Sequence, residues 1–343
     1  MSVSAISSSA PLLEVDNLKV EFDTRRGLVQ GLRGVTLSIG RGETLGVVGE
    51  SGSGKSVTAQ AVMGLIDMPG RIASGDIRWK GRSLFGRDGE RYAQDIRGKE
   101  VAMVFQDPMT SLNPVLKIGT QIGEVLERHL GMTRAQARNR AEELLAAVGI
   151  SAPRRRLDQH PHEFSGGMRQ RVMIAMAIAC EPQLLIADEP TTALDVTIQA
   201  QILELLAQLQ ETLGLSVILI THGLGVVAGL CHRVAVMYAG QIIETGLAED
   251  VFERPAHPYT QGLLRSTPRL DEVSDRLVSI EGTPPNLVVP PEGCSFQQRC
   301  PLSGEACRKA PRLEHIRPDA EAACWKPSVP AWATPLMSPS MPS

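Results

Sequence analysis

The feature that most constrains the fold of this 343-residue chain is the octapeptide GESGSGKS at residues 49–56. It fits the phosphate-loop pattern, in which glycines let backbone N–H groups surround phosphate oxygens at the start of a helix. Such a loop needs a buried strand before it and a helix after it. An apolar run ends at Val48, and residues 57–65 are typical of a helix. We therefore expect phosphate contacts from Gly49, Glu50, Ser51, Gly52, Ser53, Gly54, Lys55, Ser56 and Val57.

A second segment, LLIADEP at residues 184–190, is an apolar run that ends in two adjacent carboxylates. The side chain of Asp188 suits the coordination shell of Mg²⁺, which the hydroxyl of Ser56 would also join. Glu189 is placed to orient and polarise an attacking water, while Lys55 supplies positive charge to the β- and γ-phosphates. Together the two segments predict binding and hydrolysis of ATP with Mg²⁺.

The pattern of apolar residues predicts an α/β fold. A helical pattern lies between two strand patterns after the carboxylate pair, and this βαβ unit implies a parallel sheet. A long segment with apolar residues at three-and-four spacing predicts helices inserted into the core. The predicted strands lie at 12–22, 34–48 (with a turn at Gly40 and Gly42), 183–187 and 216–220, and the predicted helices at 118–149 and 198–213.

The run FSGGMRQ at residues 164–170 resembles the signature motif of the ABC transporter ATPases. Ser165, Gly166 and Gly167 stand before a helical run that starts at Met168, so the motif is a second helix N-terminus suited to an anion. The resemblance implies a P-loop NTPase fold, the ABC nucleotide-binding domain, with a RecA-like core and an N-terminal antiparallel β subdomain. It also implies an inserted helical subdomain over about residues 115–172.

Further motifs of the family occur in the expected order. Gln106, in VFQDP, matches the Q-loop glutamine, which in the family touches Mg²⁺ and water and senses the transmembrane partner. Asp195 belongs to ALD at 193–195, which resembles the D-loop, and His222 resembles the switch histidine that contacts the γ-phosphate. Phe22 is the expected adenine-stacking aromatic. The catalytic residues that this resemblance implies are Glu189, His222, Gln106 and Lys55.

Two departures from the family pattern leave the expected chemistry intact. Phe164 and Met168 stand where the family more often has Leu and Gln, and Gly223 stands where Asp usually follows the histidine. None of these differences removes a group that phosphate transfer needs.

In this family two cassettes face each other head to tail, so that each nucleotide lies between the phosphate loop of one and the signature of the other. Two opposed helix N-termini would both stabilise charge on the γ-phosphate. The resemblance therefore implies a second ABC ATPase subunit, either another copy or, as the permease resemblance favours, a paralogous chain. It also implies two transmembrane permease subunits and, through the complex, an extracytoplasmic solute-binding protein.

The segment ERPAHPYTQGLL at 253–264 resembles the oligopeptide, dipeptide and nickel permease branch of these ATPases. His257, Pro258 and Tyr259 mark this resemblance and have no expected catalytic role. The implied function is ATP-driven import of di- or oligopeptides. The alternatives are import of nickel complexes, glutathione or sugars, and a non-transport ABC ATPase, which usually has twin cassettes or a long coiled coil.

Four cysteines, Cys294, Cys300, Cys307 and Cys324, lie in a Pro-rich region with few core-forming residues. Four thiolates can bind Zn²⁺ or an iron–sulfur cluster, and either would staple a segment too small to fold alone. Disulfides are disfavoured in a cytoplasmic chain. The sequence lacks a Cys-x-x-Cys pair, and members of the permease branch can carry a [4Fe–4S] cluster, so the cluster is favoured over zinc.

The predicted organisation is an ABC ATPase domain at 12–250, a C-terminal extension at 251–328 and a disordered tail at 329–343. The net charge of −3, with 35 Lys and Arg against 38 Asp and Glu, gives no reason to expect a nucleic-acid partner. The N-terminus lacks the pattern of a secretory signal, and apolar stretches fall short of the roughly 20 residues that cross a bilayer. We expect a peripheral protein on the cytoplasmic face of the plasma (inner) membrane.

Overall fold

The computed structural model describes residues 10–192, 194–266 and 280–328. The segment predicted to be a disordered tail, 329–343, and Ala193 of the ALD motif lie outside the described residues. The strands are β1 (Leu13–Thr24), β2 (Gly27–Ile39), β3 (Thr44–Val48), β4 (Gly70–Trp79), β5 (Arg82–Ser83), β6 (Val101–Val104), β7 (Leu184–Asp188), β8 (Ser216–Thr221), β9 (Arg233–Tyr238), β10 (Gln241–Leu247), β11 (Glu314–Arg317) and β12 (Ala320–Ala322). The helices are α1 (Lys55–Val62), α2 (Gly86–Ile96), α3 (Pro108–Ser111), α4 (Ile118–Leu130), α5 (Arg134–Ala147), α6 (Pro153–Arg156), α7 (Gly166–Ala177), α8 (Val196–Leu213), α9 (Leu224–Leu230), α10 (Ala248–Glu253) and α11 (Pro258–Arg265).

The described strands form two sheets. An antiparallel sheet has the order β2-β1-β4-β5, and a mixed sheet has the order β11-β12-β10-β9-β3-β8-β7-β6. Strands β9, β3, β8, β7 and β6 pair in parallel, whereas β10 pairs antiparallel with β9 and β12. The α/β fold, the parallel core sheet and the N-terminal antiparallel sheet are confirmed. The predicted turn at Gly40 and Gly42 separates β2 from β3.

The parallel strands are buried on both faces. In β7, Leu185 and Ala187 belong to the cluster beneath the helical segment, whereas Leu184 and Ile186 belong to the cluster beneath the antiparallel sheet. Successive side chains of a strand point to opposite faces, so each strand contributes to both clusters. A continuous apolar run is therefore the expected sequence of such a strand.

The carboxyl ends of neighbouring parallel strands position the candidate site. Strand β3 leads into the phosphate loop, and β8, its neighbour, ends one residue before His222. Strand β7 ends at Asp188, and β6 ends two residues before Gln106. Because parallel strands present their carboxyl ends at one edge of a sheet, residues distant in sequence meet there.

The inserted helices were correctly predicted within residues 118–149. Helix α4 is closed by Gly131 in the left-handed conformation, with φ of 65°. Helix α5 begins with a capping box, in which the Thr133 hydroxyl accepts from the backbone N–H of Gln136 and the Gln136 side chain accepts from the backbone N–H of Thr133. These local signals explain why the two helices could be predicted from the sequence.

Helix α1 differs from its predicted bounds of 57–65. It starts at Lys55 because Gly54, with φ of 107°, is its N-cap, and it stops at Val62. The chain turns at Gly64, where φ is 60°. The shift places the lysine and the hydroxyl of the phosphate loop in the first turn of the helix.

The C-terminal extension is more regular than predicted. Strand β12 pairs with β10, and β11 pairs with the other side of β12, so the extension adds two strands to the edge of the large sheet. With only three residues, of which Ala320 and Ala322 are buried, β12 is too short to show strand periodicity in the sequence. Across the part of the chain that the structure describes, no helix has the length and apolar character to cross a bilayer.

Candidate functional site

The phosphate loop has the backbone that its glycines predict. Gly49, Gly52 and Gly54 all have positive φ, at 155°, 78° and 107°. A Cβ on Gly49 would lie 2.2 Å from the carbonyl oxygen of Met237, so no side chain fits there. The loop therefore curls tightly against β9 and leaves its N–H groups at the N-terminus of α1.

Lys55 is held inside this loop. Its Nζ donates to the carbonyl oxygens of Gly49 at 2.8 Å and Glu50 at 3.0 Å, and it lies 4.0 Å from Glu189 Oε1. Burial lowers the pKa of the Lys55 ammonium, whereas Glu189, Asp188 and Glu50 act to raise it. The ammonium is thus a largely desolvated positive charge, which interacts strongly with an anion.

Ser56 and Asp188 come together from two different strand ends. The Ser56 hydroxyl donates to Asp188 Oδ1 at 3.0 Å. Burial raises the pKa of the Asp188 carboxyl, and the hydrogen bond from Ser56 acts in the opposite direction. A hydroxyl and a buried carboxylate beside a phosphate loop are the oxygen donors that Mg²⁺ prefers, so the residues fit this cation.

Glu189 is the point where the remaining predicted catalytic groups converge. Its Oε2 accepts from Gln106 Nε2 at 3.1 Å and lies 3.6 Å from His222 Nδ1. The Glu189 backbone has φ of 45°, a left-handed conformation that is rare for a residue with a side chain and is typical of functional sites. The structure therefore brings Lys55, Gln106 and His222 together around this carboxylate.

Thr192 also contacts Glu189, and sequence reasoning missed it. Its hydroxyl donates to Glu189 Oε2 at 2.9 Å. The turn after β7 places residue 192 against residue 189, because the Thr192 N–H bonds the Glu189 carbonyl at 3.1 Å. The available signal was a hydroxyl residue three positions after the proposed base.

The signature residues lie at a separate surface. Ser165 is the N-cap of α7, its hydroxyl accepts from the Met168 N–H, and the helix begins at Gly166, two residues earlier than predicted. A Cβ on Gly167 would lie 2.7 Å from Ile198 of α8, which Asp195 caps. Among the described residues, no hydrogen bond or ion pair joins this motif to the phosphate loop.

Phe22 and Val57 stay predictions as nucleotide contacts. Phe22 is half-buried, and its ring packs against the backbones of Gly31 and Gly70. A Cβ added to either glycine would lie 2.7 Å from the ring. Val57 is half-buried against the core cluster beneath the antiparallel sheet.

Two residues of the C-terminal extension contact the phosphate loop, and neither was predicted to do so. The N–H of Glu50 donates to Tyr259 Oη at 2.8 Å. Arg299 Nη1 and Nη2 donate to the two carboxylate oxygens of Glu50 at 2.7 and 2.9 Å. His257 fixes the start of α11 by accepting from the Tyr259 N–H, and burial lowers the pKa of its imidazole to about 3.

The four cysteines of the extension line one cavity of about 20 Å³. All four are free thiols, and burial raises the pKa of Cys294 to about 11. The sulfur atom of Cys324 accepts from the backbone N–H of Lys326 at 3.4 Å. Within the described ranges, no three His, Cys, Asp or Glu residues form a group that could hold a metal ion, so the predicted cluster is not supported by the geometry.

Comparison with known proteins agrees with this arrangement. Residues 32–192 match the ABC transporter family, and residues 243–307 match the oligopeptide/dipeptide transporter C-terminal region. The chain is similar to the oligopeptide transport ATP-binding protein OppD of Salmonella typhimurium, at 51% identity over 95% of this chain and 98% of that protein. It is also similar to the dipeptide transport ATP-binding protein DppD of Bacillus subtilis, at 52% identity over 92% of this chain and 94% of that protein.

Solved structures show the same fold. CbiO1 of Clostridium perfringens, part of the ABC transporter complex cbiONQ, superposes with a TM-score of 0.60 at 28% identity, over 71% of this chain and 91% of that one. The ATP-binding cassette MJ0796, solved as a dimer with ADP and Pi, superposes with a TM-score of 0.61 at 27% identity. The match covers 69% of this chain and 98% of that one. Fold and site together define an ABC-type ATPase.

The chain belongs to the ABC transporter family, in the branch of oligopeptide and dipeptide transport ATP-binding proteins. Membership of this family implies ATP hydrolysis with Mg²⁺, a dimer of ATPase subunits and membrane permease partners.

Proposed function

We propose that this chain couples ATP hydrolysis to the import of di- or oligopeptides through two separate transmembrane subunits. The observation that carries the ATPase part is the convergence of Lys55, Gln106 and His222 on Glu189, beside the Ser56–Asp188 pair. The peptide part is supported by the matched C-terminal region and by the similarity to OppD and DppD. The proposed function includes a peripheral location at the cytoplasmic face of the membrane, where the chain would bind its transmembrane partners.

The residues divide the chemistry among them. Glu189 orients a water and accepts its proton as the water oxygen bonds to the γ-phosphorus and the bond to the leaving ADP breaks. Lys55 holds the β- and γ-phosphates, and His222 contacts the γ-phosphate. Ser56, Asp188 and Gln106 would hold Mg²⁺, which supplies charge neutralisation on the phosphates.

A second ATPase subunit would complete the site. Ser165 and Gly166 are exposed, and the N-terminus of α7 is open to an anion from another subunit. A head-to-tail pair would place this signature on the γ-phosphate bound by the neighbouring phosphate loop. We propose that the neighbour is a paralogous chain. A second copy of this chain is the alternative, and it would make the pair symmetric.

A groove of about 560 Å³ is proposed as the docking site for a cytoplasmic segment of a permease subunit. Phe105 and Leu112 line it from the Q-loop side, and Val125 and Arg128 line it from α4. None of its described lining residues is acidic, so apolar and acidic side chains of the partner fit best. Because Phe105 adjoins Gln106, the bound segment would move with the Q-loop.

The test is reconstitution of the complex copurified from native membranes. Liposomes containing this chain, its transmembrane subunits and the solute-binding protein should accumulate labelled di- or oligopeptide only with ATP on the cassette side. Nickel complexes, glutathione and sugars serve as competing solutes. ATP-driven uptake of one of these without peptide uptake would replace the proposed substrate, and ATP turnover without any transmembrane partner would favour a non-transport ATPase.

We propose in addition that Cys294, Cys300, Cys307 and Cys324 bind a [4Fe–4S] cluster, with Zn²⁺ as the alternative. The proposal rests on four thiols that line one cavity and on the hydrogen bond from the Lys326 N–H to the Cys324 sulfur, which stabilises a thiolate. Cluster binding would require the sulfur atoms to draw together and lose their protons. Iron and sulfide analysis with visible absorption of anaerobically purified protein tests this, and a colourless protein with one zinc would contradict it.

A further inference from the structure

We propose that Arg299 and Tyr259 of the C-terminal extension are positioning residues for the phosphate loop, and that they set its affinity for ATP through Glu50. The inference rests on the proposed use of ATP at residues 49–56. It adds a role for the region that follows the cassette, since both residues lie within 243–307, the part matched to the oligopeptide/dipeptide C-terminal region.

Glu50 is held at each of its polar groups. Its N–H donates to Tyr259 Oη, and its carboxylate accepts both Arg299 hydrogen bonds. Its carbonyl accepts from Lys55 Nζ at 3.0 Å and from the Ser53 N–H at 3.2 Å. One residue therefore links the extension to the lysine that meets the phosphates.

The two holding residues are themselves fixed. The Arg299 side chain is 5% exposed, and its Nε and Nη2 donate to the carbonyl oxygens of Glu281 at 2.9 Å and Ile280 at 3.2 Å. Its guanidinium also lies 5.8 Å from the centre of the Tyr238 ring. The Tyr259 ring is fully buried, with its centre 4.6 Å from that of Tyr238. Such groups lose little freedom when they bind Glu50, so their contacts are geometrically specific.

Charge makes the prediction specific. Glu50 carries a carboxylate inside a loop whose ligand is an anion, and Arg299 neutralises that carboxylate with a bidentate pair. Without the guanidinium, the carboxylate is left unpaired close to the phosphates and repels them. Loss of Arg299 should thus weaken ATP binding, and removal of the Glu50 charge in the same protein should restore it.

The experiment measures equilibrium binding of a fluorescent ATP analogue with Mg²⁺ to the purified full chain. We expect R299Q to raise Kd by about 10-fold or more, because charged hydrogen bonds of this kind contribute on that scale. The E50Q variant is the reference for the rescue, and E50Q/R299Q should bring Kd to within a few-fold of the E50Q value. R299K keeps the positive charge but lacks the two parallel N–H donors of the guanidinium. Its Kd should therefore lie between those of R299Q and the wild type.

Y259F, which removes only the hydroxyl that accepts from Glu50, should raise Kd by a few-fold. R138Q removes an arginine from the exposed pair with Asp158 and is the matched control with an unchanged Kd. Melting temperatures separate lost binding from lost folding, and R299K and Y259F give the answer if R299Q does not fold.

Unchanged Kd in folded R299Q, or in R299K and Y259F where R299Q fails to fold, would overturn the inference. Weakened binding by R299Q that E50Q does not rescue would also overturn it, since packing alone would then explain the loss. Failure of the wild-type chain to bind the analogue is a different outcome, which contradicts the proposed use of ATP and with it this role of the extension.

Discussion

The hydroxyl of Ser56 donates a 3.0 Å hydrogen bond to Asp188, across 132 residues of sequence. Ser56 follows β3 and Asp188 is the last residue of β7, and both strands pair with β8 in the large sheet. This single bond therefore requires the parallel order of three strands and the backbone of the phosphate loop at the same time. It joins the two residues that we propose as ligands of Mg²⁺ to the first turn of the helix that follows the phosphate loop.

Lys55→Ala should abolish tight nucleotide binding. The variant removes a buried positive charge and leaves the carbonyl oxygens of Gly49 and Glu50 without that donor. We expect Kd for ATP with Mg²⁺ to rise by roughly 100-fold, measured by equilibrium binding. Lys80→Ala, at an exposed pair with Glu100, is the control. Equal Kd values for the two variants would contradict the assignment.

Gly49→Ala and Gly52→Ala should differ in stability. At Gly49 the added Cβ would meet the Met237 carbonyl, and we expect the free energy of unfolding to fall by about 3 kcal/mol. A Cβ on Gly52 would have no atom within 4 Å, so only the positive φ disfavours alanine there. We expect the free energy of unfolding to fall by about 1 kcal/mol. Urea denaturation measures both. A larger loss for Gly52→Ala would show that the loop conformation is wrong.

Thr192→Val should slow hydrolysis without weakening binding. Valine keeps the shape of the side chain but removes the donor to Glu189 Oε2, which leaves the carboxylate less firmly oriented. We expect turnover to fall about 10-fold in the assembled complex, since hydrogen bonds to charged groups contribute on this scale. Thr192→Ser keeps the hydroxyl and should retain most activity. If serine and valine behave alike, the hydroxyl has no role.

Asp188 was predictable from the residues themselves, because it stands at the end of an apolar run and the βαβ pattern brings the carboxyl ends of parallel strands together. Strands β3, β7 and β8 were predicted as apolar runs, since both of their faces are covered. Gln106 and His222 were assigned from the order of the family motifs, and β6, which precedes Gln106, was not predicted.

The contacts made by the extension were not predictable in the same way. Arg299 reaches Glu50 across 249 residues and Tyr259 reaches it across 209, and no local periodicity encodes such pairings. The sequence singled out Tyr259 only as one of the residues that resemble the permease branch, with no predicted contact to the phosphate loop. The three-residue strand β12 likewise depends on the edge of β10 rather than on its own sequence.

The identity of the base is the central claim, and Glu189→Gln in the reconstituted complex tests it most directly. Glutamine keeps the size and the position of the side chain but accepts no proton at neutral pH. We expect ATP binding to persist while turnover falls by about 10²–10⁴-fold, the range typical of a lost general base. The predicted result is a complex that stays loaded with ATP and does not hydrolyse it. Turnover near that of the wild type, with ATP binding intact, would contradict it.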